Sequence, residues 1–184
     1  MRLCTSLDKT LARLETITER LLLLTRNERQ IVREDVYLWP LLEDVLLDME
    51  DLAASKGVTM HLAGDTELAI LGDSALLAII FRNLIENAIY YNRQGGLVQI
   101  HLDQDRQDNT AVISIADTGI GIPPEEQPFV FSRFYRGRQA RTYHPNGTGL
   151  GLPLVVHLVQ LHGGTLHLTS TPDQGSIFTI RLPL

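Results

Sequence analysis

Cysteine and lysine are scarce in this sequence, and each shortage excludes a class of site. The 184 residues include a single cysteine, Cys4, so neither an internal disulfide nor a multi-thiolate metal site can form. Lys9 and Lys56 are the only lysines, and neither lies in a glycine-rich loop. The Gly-Lys-Ser/Thr phosphate site of P-loop nucleotide-binding proteins is therefore excluded.

Long apolar runs and a net positive charge are missing as well. No apolar run approaches the ~18 residues that a membrane-crossing helix needs, and no charged leader followed by an apolar segment opens the chain. Acidic residues outnumber basic residues by 22 to 16, for a net charge of −6, which argues against a general nucleic-acid-binding protein. We therefore expect no nucleic-acid partner and a cytoplasmic location, with any membrane anchor of a longer parent protein lying outside these residues.

The first 25 residues carry a heptad-like apolar pattern. Its positions follow one another at alternating steps of 4 and 3, as Leu3, Leu7, Thr10, Leu14, Ile17, Leu21 and Leu24. Such a stripe is typical of a helix in a bundle, and a single helix cannot bury it against itself. We interpret this stretch as one helix of a bundle whose partner comes from another chain. A helix folded back on the main domain is the alternative.

Residues 36–184 mix helical and strand patterns. Helical spacing predicts three helices, over residues 40–56, 74–89 and 150–161. Short segments rich in β-forming residues predict six strands, over residues 58–62, 68–71, 97–102, 111–116, 165–170 and 177–182. We expect an α/β sandwich with its helices on one face of the sheet. The 33-residue segment from Asp117 to Gly149 is too long for a simple connector and predicts a binding loop or lid.

Two asparagines interrupt the second predicted helix, which is otherwise strongly apolar. Asn83 and Asn87 lie four residues apart, and this spacing directs both amides to the same helix face. An amide oxygen suits Mg²⁺, which prefers oxygen ligands and keeps several of its waters. The pair is a candidate metal-binding element, although helix asparagines are more often only solvated.

An acid and two glycines follow the predicted strand at residues 111–116. The run reads Asp117-Thr-Gly119-Ile-Gly121-Ile-Pro. A carboxylate at the end of a strand can accept a hydrogen bond from an exocyclic amine such as that of adenine, and glycine lets the backbone approach a flat ring closely. This run is therefore a candidate base-binding site.

A second glycine-rich run opens the last predicted helix, with the sequence Gly-Thr-Gly-Leu-Gly-Leu over residues 147–152. The unpaired N–H groups and the dipole of a helix N-terminus favour phosphate; a flexible turn with an N-cap is the alternative. Residues 134–150 contain three arginines and no acidic residue, with the arginines at Arg136, Arg138 and Arg141. This locally cationic loop suits a polyphosphate.

Taken in order, these motifs resemble those of the ATP-binding catalytic domain of two-component sensor histidine kinases, in the superfamily that also contains gyrase-type ATPases. The N box is similar to Asn83-Leu-Ile-Glu-Asn87-Ala, and the G1 box to Asp117-Thr-Gly-Ile-Gly. The F box resembles Phe131-Ser-Arg-Phe-Tyr-Arg136, the G2 box Gly147-Thr-Gly-Leu-Gly151-Leu, and the final hairpin Gly175-Ser176-Ile-Phe-Thr-Ile-Arg-Leu-Pro. The resemblance covers about residues 36–184. Residues 1–30 resemble the second helix of the dimerisation and histidine-phosphotransfer hairpin.

The resemblance implies an α+β fold, in which three helices cover one face of a mixed, mostly antiparallel sheet in a two-layer α/β sandwich, preceded by a long bundle-type α-helix. It also implies that ATP and Mg²⁺ bind between the long helix and a mobile lid. Asn87 would hold the Mg²⁺ with support from Asn83, and Asp117 would recognise adenine. Arg136 would face the γ-phosphate. The other implied nucleotide-binding residues are Tyr91, Gly119, Gly121, Ile122, Gly147, Thr148, Gly149, Leu150, Gly151 and Ser176.

The implied activity is transfer of the γ-phosphoryl group of ATP to a histidine, for relay to a response regulator. The sequence departs from the family at two points. Many members carry a lysine three residues after the second asparagine, where this chain has Tyr90. None of the 6 histidines lies in a His-Glu/Asp-x-x-x-Pro-like acceptor segment. We therefore expect an acceptor helix upstream of residue 1, a second subunit that completes a homodimer, and an isolated chain that cannot phosphorylate itself.

Three other functions share parts of this pattern. A gyrase-type ATPase would place a glutamate, as general base for water, where this chain has Asn83, an amide that cannot take a proton. A serine kinase of the anti-sigma-factor type shares the nucleotide pocket, but the bundle-type helix and residues 131–136 argue against it. A dimerisation module with a decayed pocket would fit Tyr90, and the intact Asp117 argues against that reading.

Overall fold

The structure, a computed structural model, describes residues 2–27 and 31–184. These residues form a long N-terminal helix and an α+β body. The α-helices are α1 (Arg2–Leu23), α2 (Leu38–Lys56), α3 (Ser74–Tyr90), α4 (Ala140–Tyr143) and α5 (Gly151–Leu161). The strands are β1 (Glu34–Tyr37), β2 (Thr59–Gly64), β3 (Ala69–Gly72), β4 (Leu97–Asp105), β5 (Thr110–Asp117), β6 (Thr165–Thr171) and β7 (Gly175–Pro183).

Five of the strands form the main sheet, in the order β2-β4-β5-β7-β6. β2 runs parallel to β4, and the other neighbouring pairs are antiparallel. β1 and β3 pair with each other in a separate antiparallel sheet of two strands. The predicted mixed, mostly antiparallel sheet is therefore confirmed.

Helices α2, α3 and α5 cover one face of the main sheet, with α3 in the middle of the row. The strands alternate between buried and exposed residues: in β4, Val98 and Ile100 are buried, whereas Gln99 is exposed. One face of the sheet therefore packs on helices and the other meets solvent. Phe81 and Leu84 of α3 are fully buried. Burying such a side chain contributes roughly 1.5–3 kcal/mol, so the apolar face of α3 holds its polar face in a fixed position.

Asp73 ties the start of α3 to the end of α5. Its Oδ1 accepts a hydrogen bond from the N–H of Leu76 at 3.1 Å, which makes Asp73 the N-cap of α3. The N–H of Asp73 donates to Nε2 of the buried His162 at 3.1 Å. Because Nε2 accepts, Nδ1 of His162 carries the proton, and it donates to the carbonyl of Leu158 at 2.8 Å. The two helices that border the site below are thereby fixed to each other.

Two features of strand pairing were not predicted from the sequence. Strand β1 has four residues, of which only Val36 is buried, so it lacks the alternation by which a strand is recognised. Strands β2 and β3 follow each other closely in the chain, yet they lie in different sheets. The partner of each strand depends on contacts between distant segments, which local periodicity does not encode.

Helix α1 meets the body at its C-terminal end. Leu23 and Leu24 pack against the hydrophobic core, and the carbonyl of Arg26 lies 3.1 Å from Nε2 of His157 on α5. Other leucines remain exposed, at 52% for Leu11, 55% for Leu14, 37% for Leu21 and 63% for Leu22. The side chains of Leu3, Leu7 and Thr10, which also belong to the predicted stripe, lie outside the described residues. No helix in the described ranges is long and apolar enough to cross a membrane.

Candidate functional site

A cavity of about 800 Å³ opens between α3, the end of β5 and the start of α5, a volume typical of small-molecule sites. It gathers most of the predicted site residues. Those in its wall are Asn83, Asn87, Tyr91, Asp117, Gly121, Ile122, Arg136, Gly147, Thr148, Gly149, Gly151 and Ser176. The other two predicted residues lie just behind the wall: Gly119 contacts the Asp117 carboxyl through its backbone, and the Leu150 side chain is fully buried.

Asn83 and Asn87 occupy the cavity face of α3. The side chain of Asn83 is buried, and its Nδ2 donates to the carbonyl of Ile79 at 2.7 Å. A Cβ built on Gly151 would lie 3.0 Å from Oδ1 of Asn83, so this oxygen faces the first residue of α5. Asn87 lies one turn further along and is half-buried in the wall. The shared helix face has the geometry that the spacing predicted.

The Asn87 amide fits a Mg²⁺ ion that takes its other ligands from phosphate and water. Residues 2–27 and 31–184 contain no group of three or more His, Cys, Asp or Glu side chains arranged to hold a metal ion. Mg²⁺ bound to substrate phosphates needs only one or two protein oxygens, which Asn87 can supply.

Asp117 ends β5 with a largely buried carboxyl group. Its Oδ1 accepts a hydrogen bond from the N–H of Gly119 at 2.8 Å, and the N–H of Ser176 donates to the carboxylate as well. Burial raises the pKa of the Asp117 carboxyl to about 6, and the two backbone hydrogen bonds oppose part of that rise. A carboxylate has about four acceptor positions, so these bonds leave capacity for a donor on a ligand.

Gly119 and Gly121 let the loop after β5 pass very close to two other segments. A Cβ on Gly119 would lie 2.2 Å from the carbonyl oxygen of Tyr91 and 2.7 Å from Oδ1 of Asp117. Gly121 has a φ of +64°, and a Cβ there would lie 2.0 Å from the carbonyl oxygen of Thr171. A side chain at either position would displace the loop that carries the carboxylate.

Arg136 holds the short helix α4 over the cavity. Its Nη1 donates to the carbonyl of Pro145 at 3.0 Å, and its Nη2 donates to the carbonyls of Ala140, at 3.2 Å, and His144. The His144 ring packs edge-on against the Tyr90 ring, with 3.8 Å between the ring centroids. Arg136 therefore lies in the cavity wall, with both of its Nη atoms bound to carbonyls of residues 140–145.

The glycine-rich turn at residues 147–150 brings the N-terminus of α5 to the cavity. The Thr148 Oγ1 accepts hydrogen bonds from the N–H of Leu150 and from Nη1 of Arg20, each at 3.3 Å. Gly149 has a φ of +71°, and a Cβ there would lie 2.7 Å from the carbonyl carbon of Phe134. The first N–H groups of a helix have no partner within the helix, so the turn and helix together form a surface suited to phosphate.

Three polar residues of the cavity wall were not predicted from the sequence. Thr16 and Arg20 reach the wall from α1, and Glu86 reaches it from α3. Nη2 of Arg20 lies 3.9 Å from Oε2 of Glu86. Glu86 follows Asn83 by three residues, so the i, i+3 rule was an available signal for it. No sequence signal indicated Arg20. A heptad pattern identifies the apolar face of a helix and does not show which residues the polar face contacts after folding.

The chain is similar in sequence to a known family and to curated proteins. The family described as histidine kinase-, DNA gyrase B- and HSP90-like ATPase matches residues 72–184. The sensor-like histidine kinase SenX3 of Mycobacterium tuberculosis is 40% identical over 131 residues, which cover 71% of this chain and 32% of SenX3. The chain therefore spans about a third of the length of the first curated relatives that it matches.

Solved structures agree with the sequence comparison. Full-length ShkA, crystallised in complex with AMPPNP, has a TM-score of 0.83 and 26% identity, over 97% of this chain and 37% of that chain. The histidine kinase ThkA, solved in complex with the response regulator protein TrrA, has a TM-score of 0.76 over 96% of this chain and 48% of that chain. At 22% identity, ThkA supports the fold alone. Both alignments reach nearly the whole chain.

Proposed function

Because the chain belongs to the histidine kinase-, DNA gyrase B- and HSP90-like ATPase family, we propose that it is the ATP-binding catalytic part of a sensor histidine kinase. It binds ATP with Mg²⁺ and transfers the γ-phosphoryl group to a histidine on a bundle helix outside this chain, for relay to a response regulator. The observation that best supports this proposal is the convergence of the Asn87 amide, the partly buried Asp117 carboxyl and the N-terminus of α5 on one cavity.

The adenine end of the proposed site is the loop after β5. The Asp117 carboxylate accepts a hydrogen bond from the exocyclic amine of the base, and Gly121 and Ile122 line the ring. A guanine base presents a carbonyl oxygen at the corresponding position. Because two acceptors would then face each other in a largely buried place, the site favours adenine over guanine.

The phosphate end lies between Asn87, the glycine-rich turn and α5. Mg²⁺, when bound, neutralises charge that develops on the phosphate oxygens during transfer. The amide of Asn87 would hold that ion, and the N–H groups at the start of α5 would bind the phosphates. Phosphoryl transfer needs mainly positioning and electrostatic stabilisation, and these residues offer both. The bond from the γ-phosphorus to the β,γ-bridging oxygen breaks, ADP leaves with that oxygen and the electron pair, and the lone pair of a neutral histidine nitrogen forms the new bond to phosphorus.

An ATP-hydrolysing machine of the gyrase type is less consistent with the site. Such an enzyme uses a general base to activate water. Asn83 occupies the position of that base, and its amide nitrogen is held by the carbonyl of Ile79. An amide cannot take a proton from water, so Asn83 cannot serve as that base.

The acceptor and the partners lie outside this chain in our proposal. His162 is buried in the junction with Asp73, and His144 packs on Tyr90 in the lid. The exposed leucines of α1 offer a surface to the acceptor helix and to a second subunit. A response regulator is proposed by analogy with the ThkA complex.

Nucleotide titrations test the binding part of the proposal. We expect calorimetry to show ATP binding that is stronger with Mg²⁺ than with a chelator, and stronger than GTP binding. Asp117→Asn should weaken ATP binding by about 1–3 kcal/mol, because an amide donor would face the amine of the base. Gln99→Ala, on the open face of the sheet, is the control and should bind as the wild type does. Equal affinity for ATP and GTP in the wild type would contradict the adenine assignment.

The raised pKa of Asp117 predicts that nucleotide affinity depends on pH. Above about 6 the carboxyl is ionised and accepts a hydrogen bond from the amine; below that value it takes up a proton. Wild-type affinity should therefore fall as the pH is lowered from 7.5 to 5. Protonation of the phosphates affects every variant, so the test is the ratio of wild-type to Asp117→Asn affinity. That ratio should shrink toward acid pH, and a constant ratio would show that Asp117 does not titrate in this range.

A further inference from the structure

Helix α1 places an arginine at the phosphate end of the cavity. Nη1 of Arg20 donates to Oγ1 of Thr148 in the glycine-rich turn at 3.3 Å, and Nη2 lies 3.9 Å from Oε2 of Glu86. A Cβ built on Gly151 would lie 4.0 Å from Nη1 of Arg20 and 3.0 Å from Oδ1 of Asn83. The guanidinium, the buried Asn83 amide and the N-terminus of α5 therefore meet at one place.

The two contacts of Arg20 leave most of its hydrogen-bonding capacity unused. A guanidinium carries five N–H donors in a planar fork that matches two phosphate oxygens at once. The bond to Thr148 is long, and the separation from Glu86 exceeds hydrogen-bond length. The side chain of Arg20 is 24% exposed. A charge in this partly desolvated position interacts with an anion more strongly than a charge in open water does.

The cavity has few other cations for a polyphosphate. Its described wall contains the acidic residues Glu86, Asp117 and Glu126, against the arginines Arg20 and Arg136. Both Nη atoms of Arg136 donate to lid carbonyls. Burial and the nearby arginine charge hold the pKa of His144 below its usual value, so that ring is neutral at pH 7. Among the described residues of the cavity wall, Arg20 is therefore the cation with the most N–H donors left for a phosphate group.

We propose that Arg20 binds the nucleotide phosphates, so that phosphate binding and the docking of α1 on the body are coupled. This inference rests on the proposed function. Leu23 and Leu24, about one turn from Arg20, pack against the core, and the docked helix therefore sets where the guanidinium lies. Linkage is reciprocal: ATP stabilises the docked helix, and the docked helix raises the affinity for ATP.

Calorimetric titration of ATP and of adenosine into the 184-residue chain separates phosphate binding from base binding. Arg20→Ala should weaken ATP binding about tenfold, which is roughly 1.4 kcal/mol at 25 °C, and leave adenosine binding unchanged. Arg20→Lys, which keeps the charge, should recover part of the loss. Arg26→Ala removes the same charge from an exposed position at the end of α1 and is the matched control.

Hydrogen exchange in residues 11–24 provides a second measurement. ATP should slow exchange there in the wild type and in Arg26→Ala, and should not do so in Arg20→Ala. If Arg20→Ala binds ATP as tightly as the wild type or more tightly, or loses ATP and adenosine affinity equally, the inference is wrong. Those results differ from failure of the proposed function, in which the wild-type chain itself would bind no ATP.

Discussion

Labelled phosphate from γ-labelled ATP is expected to remain absent from the isolated 184-residue chain and to appear on a longer chain that includes the upstream acceptor helix. The reason is that none of the 6 histidines lies in an acceptor-like segment, and His144, the histidine in the described cavity wall, packs against the Tyr90 ring. Near-stoichiometric label on the isolated wild-type chain would show that an acceptor lies within it.

In the longer chain, Asn87→Ala should lower the rate of phosphoryl transfer by a factor of about 100 or more. Loss of one preorganised group that stabilises a charged transition state typically costs 10²–10³-fold in rate, and Asn87 is proposed to hold the ion that performs this task. Asn87→Asp keeps an oxygen ligand and should retain more activity. Gln99→Ala removes an amide from the open face of the sheet and should transfer at the wild-type rate. A wild-type rate of phosphoryl transfer in Asn87→Ala would show that Asn87 does not hold the metal ion.

Gly121→Ala is expected to be the most destabilising conservative substitution in the loop after β5. The new Cβ would lie 2.0 Å from the carbonyl oxygen of Thr171, at a residue whose φ is +64°. Positive φ alone costs about 1–2 kcal/mol for a residue with a Cβ, and the backbone collision adds to it. We expect the free energy of unfolding to fall by roughly 3 kcal/mol or more, which corresponds to a decrease in Tm of about 6–12 °C for a chain of this size.

Gly95→Ala is the matched control for that variant. Gly95 has a φ of +75°, and a Cβ there would meet nothing within 4 Å. Gly95→Ala therefore has the conformational cost of a positive φ without the collision. Its free energy of unfolding should fall by only about 1–2 kcal/mol. Urea unfolding of both variants measures the difference. Equal losses would mean that the close approach to Thr171 does not constrain the loop.

The parts of the site that could be predicted are those governed by short-range rules. The four-residue spacing of Asn83 and Asn87 requires a shared helix face, because a helix has 3.6 residues per turn. Asp73 before an apolar helical run predicts an N-cap, which the structure confirms. The glycines after Asp117 were predicted to let the backbone approach a flat ring. In the structure Gly121 lets this loop pass close to the backbone of Thr171, and the contact with a ring stays a prediction.

The parts that could not be predicted depend on which distant segments meet. Strand β1 pairs with β3. It has four residues, of which one is buried, so it shows no alternation that would identify it as a strand. The three lid carbonyls that bind Arg136 come from residues 140, 144 and 145, and only the folded lid brings them around one guanidinium. Sequence motifs identify Arg136 as a cavity residue and do not show that both its Nη atoms are engaged.

The sequence by itself determined the class of fold, the order of the motifs and the residue types available for binding a nucleotide, because periodicity, caps and glycine positions act within a few residues of the chain. Only the tertiary structure decided that Arg20 of α1 lies beside Thr148, 128 residues away, and that the Asp117 carboxyl is buried enough for its pKa to rise to about 6. Contacts and desolvation of this kind arise when helices pack on a sheet, and their strength depends on distances that no local pattern specifies.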